Sequence, residues 1–418
     1  MTGPSGDGPS VLIIVQNLPV PLDRRVWLEC QALTEAGYRV SVICPKGAGD
    51  PTRAVIDGVS LYKYRPYPPT RSKFGLVAED VYSFAMTTRL AMKVFRGNRL
   101  DAIQACNPRD IFWPLALVCR LLAGTRFVFD QHDLCPELYL SRFPDGAHLP
   151  YNAVRLLEWC TYKAADHVIA TNASYRAVAT GRGGKAPDQV TVVRSGPDSR
   201  RLRPGPPEPA LRRGRRHLAA YLGVMGPQDG VDLLLRAVAK IVHERGRRDI
   251  SFTLMGTGDC FAELVALRDE LGLGDFVEFT GRAPDELVFR VLSTADVGLS
   301  PDPKNPLNDV STMNKTMEYM CFGLPVVAFD LRETRVSAGD AAVYVQPNDI
   351  GLFANAIAGL LDDEPRRRSM GAAARARVER ELDWRYEREK YVAVYDALLG
   401  RRAPDSEATG VEAVPSRV

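Results

Sequence analysis

Long apolar runs are missing from this 418-residue chain. The best candidate, Ile111 to Ala123, falls short of the roughly 18 residues a membrane span needs and carries Arg120, so no spanning helix is expected. Cysteine is sparse: eight residues stand apart at 30, 44, 106, 119, 135, 160, 260 and 321, with no CxxC, and read as reduced, buried thiols. That spacing excludes a zinc ribbon. Charge of one sign is also lacking, because a formal net charge of +3 is too small to make nucleic acid a bulk partner. No DxD triplet occurs, so neither a metal clamp on a diphosphate nor any other cofactor is expected. The turn after the first apolar run is NLPVPLDRR, not GxGxxG, which removes the best support for a dinucleotide oxidoreductase. The start, MTGPSGDGPS, has neither the basic head nor the apolar core of a secretory leader, and a cytoplasmic location is expected.

What remains is the composition of a globular protein, 45% hydrophobic and 25% charged, at a length that calls for two domains. Val11 to Val15 reads as a strand, Arg25 to Ala36 as a helix stopped by Gly37, and Val40 to Cys44 as a second strand. This is a βαβ unit, and it implies a parallel sheet. Further strands are expected at Asp101 to Ala105, Arg126 to Asp130 and His167 to Thr171. The stretch 196–217, rich in Pro and Arg, then reads as a linker. Beyond it the alternation restarts with strands at His217 to Leu222, Ser251 to Met255, Phe276 to Phe279 and Val297 to Ser300. The expected architecture is α/β: two Rossmann-like, doubly wound domains, 10–200 and 215–383, facing each other across a deep cleft. A disordered tail is expected over 401–418.

The segment from Leu299 to Phe329 is the most informative, because a strand end, a polar loop, a short helix and a buried strand follow one another there. Ser311, Thr312 and Asn314 can each cap that helix, whose first turn brings Lys315 and Glu318 onto one face. Such a helix start offers N–H groups, a cation and a carboxylate to a phosphorylated ligand. The same spacing also fits an ordinary surface helix with a Lys/Glu pair.

Six stretches, DRRVWLECQALTEAGYRVSVICP, FDQHDLCPELY, VVRSGPD, YLGVMGPQDGVDLLLRA, LMGTGD and NKTMEYMCFGLPVVAF, lie in the order and spacing of one known family. Over residues 11 to 400 the chain resembles the family 4 retaining glycosyltransferases of the GT-B fold. The resemblance implies an acceptor domain followed by a nucleotide-sugar domain, with a last helix, 384–400, returning to the first. It implies that Glu318 accepts both ribose hydroxyls of a nucleotide diphosphate sugar, for which the two oxygens of a carboxylate are suited. Gly223, Gly256 and Gly258 correspond to turns beside the nucleotide, Arg282 to the loop near the base, and Thr312 and Asn314 to the polar loop ahead of Glu318. His132 corresponds to the residue near the transferred sugar, with Arg24 and Asp133 on the acceptor side. An alternative for His132 is an imidazole simply held by Asp130 or Asp133.

Two departures stand out. The family's first Glu, eight positions before Glu318, is Val310, which makes the adjacent Asp309 a candidate catalytic residue. The family's diphosphate-binding Arg and Lys fall on Val224 and Asp229, so Lys315, backed by Arg282, is expected to supply that charge. The resemblance implies hexosyl transfer to a glycan or lipid-linked acceptor in envelope polysaccharide assembly. Rivals are a sugar-nucleotide 2-epimerase and a non-catalytic nucleotide-sugar-binding subunit. The helix expected over 71–99 sets Arg71, Lys73, Arg89, Lys93, Arg96 and Arg99 beside Phe74, Leu76, Tyr82, Phe84 and Phe95. That pattern suits either peripheral contact with anionic lipid on the inner face of the plasma membrane or a crossover helix with a solvated basic side.

Overall fold

The computed structural model describes residues 8–68, 73–97, 99–143 and 148–401, without the side chain of Lys73. The first apolar run forms β1 (Ser10–Ile14), which leads through α1 (Arg24–Glu35) to β2 (Arg39–Pro45). Asp23 caps α1 by accepting the Val26 N–H at 3.1 Å, and Gly37 follows it at φ +82°. A hairpin of β3 (Arg53–Ile56) and β4 (Val59–Tyr64) turns on Asp57 and Gly58, both at positive φ. Then come α2 (Lys73–Gly97), β5 (Ala102–Cys106), α3 (Trp113–Ala123) and β6 (Arg126–Gln131). The half ends with α4 (Cys135–Arg142), α5 (His148–Ala164), β7 (His167–Ala170), α6 (Ala173–Thr180) and β8 (Val190–Val192).

The second half repeats the plan: β9 (His217–Leu222), α7 (Val231–Ala239), β10 (Ile250–Met255), α8 (Phe261–Glu270), β11 (Val277–Gly281) and α9 (Asp285–Thr294). It continues through β12 (Val297–Ser300), α10 (Asn314–Cys321), β13 (Val326–Phe329), α11 (Arg332–Ala338) and β14 (Ala342–Val345). Helices α12 (Ile350–Asp362), α13 (Glu364–Arg377) and α14 (Trp384–Leu399) follow.

The sheets run β3-β4-β2-β1-β5-β6-β7-β8 and β11-β10-β9-β12-β13-β14, parallel throughout except for the β3/β4 pair. Strand direction of travel reverses between β1 and β5 and again between β9 and β12. The carboxyl ends at such switch points are where open α/β sheets bind ligands. Both crevices are lined by loops that also touch the other half.

The chain passes between the halves twice. Gly196 lies so close to the return crossing that a Cβ there would sit 2.5 Å from the Leu382 carbonyl oxygen, and Trp384 N–H donates to the Pro197 carbonyl at 3.0 Å. Helix α14 then packs on α1 in the first half, as the resemblance implies. The Pro- and Arg-rich 196–217 stretch is bound down along its length. Leu202 is buried against the second half, Arg212 pairs with Asp296, and Arg290 pairs with Glu208 at 2.6 Å. Its proline-rich composition therefore marks an extended strap.

Helix α2 corrects part of the lipid-contact reading. Tyr82, Phe84 and Phe95 pack against the core, leaving Phe74, Val77 and Val81 exposed in the first half of the helix and only Met92 exposed among Arg89, Lys93 and Arg96. Arg71, the Lys73 side chain and the tail from 402 onward lie outside the described residues. No helix among the described residues is long and apolar enough to cross a membrane.

Candidate functional site

The carboxyl ends of β9, β10 and β11 are tied together by their turns. Gly223 N–H donates to the Met255 carbonyl at 3.0 Å and Gly256 N–H to the Gly281 carbonyl at 2.9 Å. Gly256 has φ +144°, and a Cβ there would lie 1.8 Å from the Gly223 carbonyl oxygen; one on Gly258 would lie 2.6 Å from that of Met225. These glycines are required first by backbone packing between turns, which sets the floor of the crevice.

Helix α10 enters this floor, but none of the three expected capping residues caps it. Met313 occupies the N-cap without a side-chain bond. Ser311 Oγ instead pairs with Tyr175 Oη at 2.8 Å, Thr312 Oγ1 accepts from Asn172 Nδ2 at 3.1 Å, and Asn314 is exposed. The competing principle is tertiary: α6 of the first half takes these polar groups, so the loop before α10 is clamped across the cleft. Asn172 Nδ2 also donates to the Val310 carbonyl at 2.9 Å.

Lys315 points inward. Its Nζ lies 2.5 Å from Asp302 Oδ1 and 3.7 Å from Asp229 Oδ1, with the Tyr221 ring centroid 5.0 Å away. Burial opposes its charge, yet Asp302, Tyr221 and Asp229 outweigh that and hold its pKa well above the ordinary lysine value. The position where the family carries a lysine thus holds an acid, Asp229, and the lysine comes from α10. Burial raises the Asp229 pKa against the pull of Lys315. Lys315 therefore lies beside Gly223 already committed to two carboxylates.

Asp309 Oδ1 accepts the Arg332 N–H at the start of α11 at 3.0 Å and lies 3.3 Å from Lys304 Nζ. Arg282 is exposed and makes no ion pair among the described residues.

One helix start connects the two halves of the site. Arg24 Nη1 donates to Glu318 Oε1 at 2.7 Å and Arg24 Nη2 to Asp285 Oδ1 at 2.7 Å, both in the second half. Its neighbour Arg25 turns into the first half, with Nη2 2.9 Å from Asp130 Oδ1 and Nε 3.0 Å from Glu29 Oε1. Asp130 Oδ2 lies 2.6 Å from His132 Nε2. Arg25 Nε approaches the same ring nitrogen at 3.1 Å, but a protonated Nε2 can serve only Asp130. Burial works against the imidazolium, and Asp130 outweighs it, raising the His132 pKa. Of the two acids considered as its partner, the structure selects Asp130. Burial raises the Asp133 pKa against the pull of His132 and Arg142.

The loop carrying His132 is fixed by Asn107, a residue the sequence reading missed. Its Oδ1 accepts the His132 and Asp133 N–H groups at 2.7 and 2.9 Å, while its Nδ2 donates to the Asp133 carbonyl at 2.7 Å. Gln104 was also missed. Its Nε2 donates to Glu29 Oε2 at 2.8 Å and Asp130 Oδ2 at 3.1 Å, and its Oε1 accepts from Tyr391 of α14 at 2.7 Å. In sequence the network was signalled only by the DRR triplet at the start of α1 and by Asp130 beside His132. Glu29, Cys106, Asp130 and His132 bring ligand atoms within 4.8 Å of one another, but Arg25 touches three of the four and supplies the positive charge a metal would bring.

Two family models divide the chain between them. "Glycosyl transferase 4-like domain" matches residues 22–196 and "Glycosyl transferases group 1" matches residues 216–363. The chain belongs to the family 4 glycosyltransferases of the GT-B fold. Among curated relatives, the D-inositol 3-phosphate glycosyltransferase of Corynebacterium aurimucosum is 27% identical over 240 residues, covering 53% of this chain and 55% of its own length. The chain spans about half the length of the curated relatives it matches. Sucrose-phosphate synthase from Thermosynechococcus elongatus superposes with a TM-score of 0.76 at 18% identity, covering 94% of this chain and 100% of that one. HepE from Anabaena, solved in complex with UDP, gives 0.67 at 16% identity, with 93% and 100% covered. At these identities the solved structures establish the GT-B fold.

Proposed function

We propose that this chain is a retaining glycosyltransferase that moves a hexosyl group from a nucleotide diphosphate sugar to a glycan or lipid-linked acceptor in envelope polysaccharide assembly. The observation that carries the reading is the pair Arg24 and Arg25, which brings the ribose-type carboxylate Glu318 and the strand-end His132 into one cleft. UDP in the HepE structure supports a nucleoside diphosphate as the common part of the sugar donor. In this reading the leaving diphosphate takes the acceptor proton on the same face of the sugar. Fixed hydrogen-bond donors and cations stabilise its developing charge without a metal. His132, held by Asp130, would meet the sugar from the acceptor side.

Incubation with UDP- and GDP-hexoses, with and without EDTA, tests this. Slow release of one nucleoside diphosphate, unchanged by EDTA, is expected. A new sugar nucleotide without release identifies an epimerase, binding with neither identifies a non-catalytic subunit, and activity lost to EDTA and restored by magnesium ends the metal-free reading.

We further place the enzyme in the cytoplasm, at the surface of anionic membrane. The exposed residues of α2 include Arg89, Lys93 and Arg96 around Met92 in its last turns and Phe74, 90% exposed, in its first turn, and α3 adds Leu121 at 86%. Replacing the three cations with Glu should weaken binding to phosphatidylserine vesicles by at least about 1 kcal/mol per residue at low salt. Unaltered cosedimentation would return α2 to a purely structural role.

A further inference from the structure

We propose that Arg24 is a ligand of the sugar donor's diphosphate, held in reserve on Glu318 until the ribose takes its place. The assignment rests on Glu318 as the ribose carboxylate and replaces the acceptor-side role expected for Arg24.

Arg24 divides its guanidinium between Glu318 and Asp285 at 2.7 Å each. Its side chain is 39% exposed and that of Glu318 18%, so both can be reached from the cleft. A vicinal diol binding Glu318 needs the same Oε1 that Arg24 now occupies. The diol is neutral and cannot replace the carboxylate as Arg24's counter-charge. Displaced, the guanidinium keeps only Asp285, which Arg201 already engages. It then has donor capacity and charge to spare at the moment the rest of the nucleotide arrives.

The diphosphate has the complementary need. Val224 and Asp229 stand where the family places its cations, and Lys315 is held between Asp302 and Asp229. A guanidinium also suits phosphate better than an ammonium would, because its fork makes two parallel hydrogen bonds. The ribose thus frees the cation that the phosphates require, which makes the two halves of the nucleotide bind cooperatively. A bare nucleoside must break the Arg24–Glu318 pair with nothing to offer the released charge.

The consequence is an effect of opposite sign on two ligands. Titrate the unmodified chain with UDP, uridine, GDP and guanosine, and take the better-bound pair as reporter. In Arg24→Gln the diphosphate should bind about tenfold or more weaker, the loss of a charge-assisted contact. The nucleoside should bind up to about fivefold tighter, since a partly exposed ion pair no longer competes. Arg24→Lys, which keeps the charge but loses the fork, should recover only part of the diphosphate affinity, and thermal unfolding of both variants should match the parent. A parallel fall for both ligands, or no change in either, overturns the assignment. So does a selective diphosphate loss in Arg282→Ala with Arg24→Gln unaffected. If the unmodified chain binds neither nucleotide, the reading of Glu318 fails first and takes Arg24 with it.

Discussion

Glu318→Ala is expected to weaken binding of a nucleoside diphosphate and of its bare nucleoside alike, by about a hundredfold for the diphosphate. Two hydrogen bonds from a ribose diol to one carboxylate are both charge-assisted, and each such bond is worth about 1.5–3 kcal/mol. Part of that sum is offset by the Arg24 contact the diol must break, which is why the expectation lies at the lower end. The carboxylate is also poised for such an exchange: burial raises its pKa while Arg24 lowers it, so losing Arg24 without gaining hydrogen bonds would be costly. Calorimetry with both ligands checks the result. A variant that loses only the diphosphate would move the ribose site off α10.

The second large effect is on stability. Arg25→Ala should destabilise the fold by about 3–5 kcal/mol in chemical denaturation, the cost of stranding one side of a buried ion network. Arg25 is almost wholly buried, Asp130 and Glu29 are fully so, and the guanidinium also donates to the Val193 carbonyl at 3.0 Å. Burial and Asp130 push the Glu29 carboxyl up to about 8, against the pull of Arg25. A folded pKa above the unfolded one means that Glu29's contribution is present at low pH and lost as pH rises through about 8. Asp130 goes the other way: burial opposes its charge, but Arg25 and His132 hold its pKa below the ordinary value, so its contribution is lost only in acid. Without Arg25, Glu29 resists ionisation still more, and the variant's stability should fall more steeply than the parent's between neutral and alkaline pH. A loss under about 1 kcal/mol, flat with pH, would show that the network is not closed by Arg25.

Sequence periodicity located both sheets because their strands are short apolar runs bounded by Gly, Pro and polar turns. It passed over β3, four residues with none buried, and β4, whose buried positions include the charged Lys63, although Asp57-Gly58 is a hairpin signal. It passed over β8 because three residues are too few to show a period. At the site, Glu318, His132 and the glycine turns were legible through their motifs. Their partners were not, because Arg24 and Glu318 are 294 residues apart and Tyr391 and Gln104 are 287 apart. Local rules failed where tertiary demands won: Ser311 and Thr312 are good caps by composition, but α6 holds a stronger claim on their oxygens. Lys315 likewise reads as a free cation until Asp302, thirteen residues upstream, is seen to face it.

The side-by-side crossings at Gly196–Pro197 and Leu382–Trp384 also decide the kinematics of the molecule. A single connecting strand would let the halves swivel about any axis. Two strands bonded to each other leave one soft coordinate, rotation about the line through both, while torsion across them would shear the Trp384–Pro197 hydrogen bond. The Arg24–Glu318 bond, 2.7 Å long and made across the cleft, pins that rotation at a second place, so the halves stay docked for as long as the pair is intact.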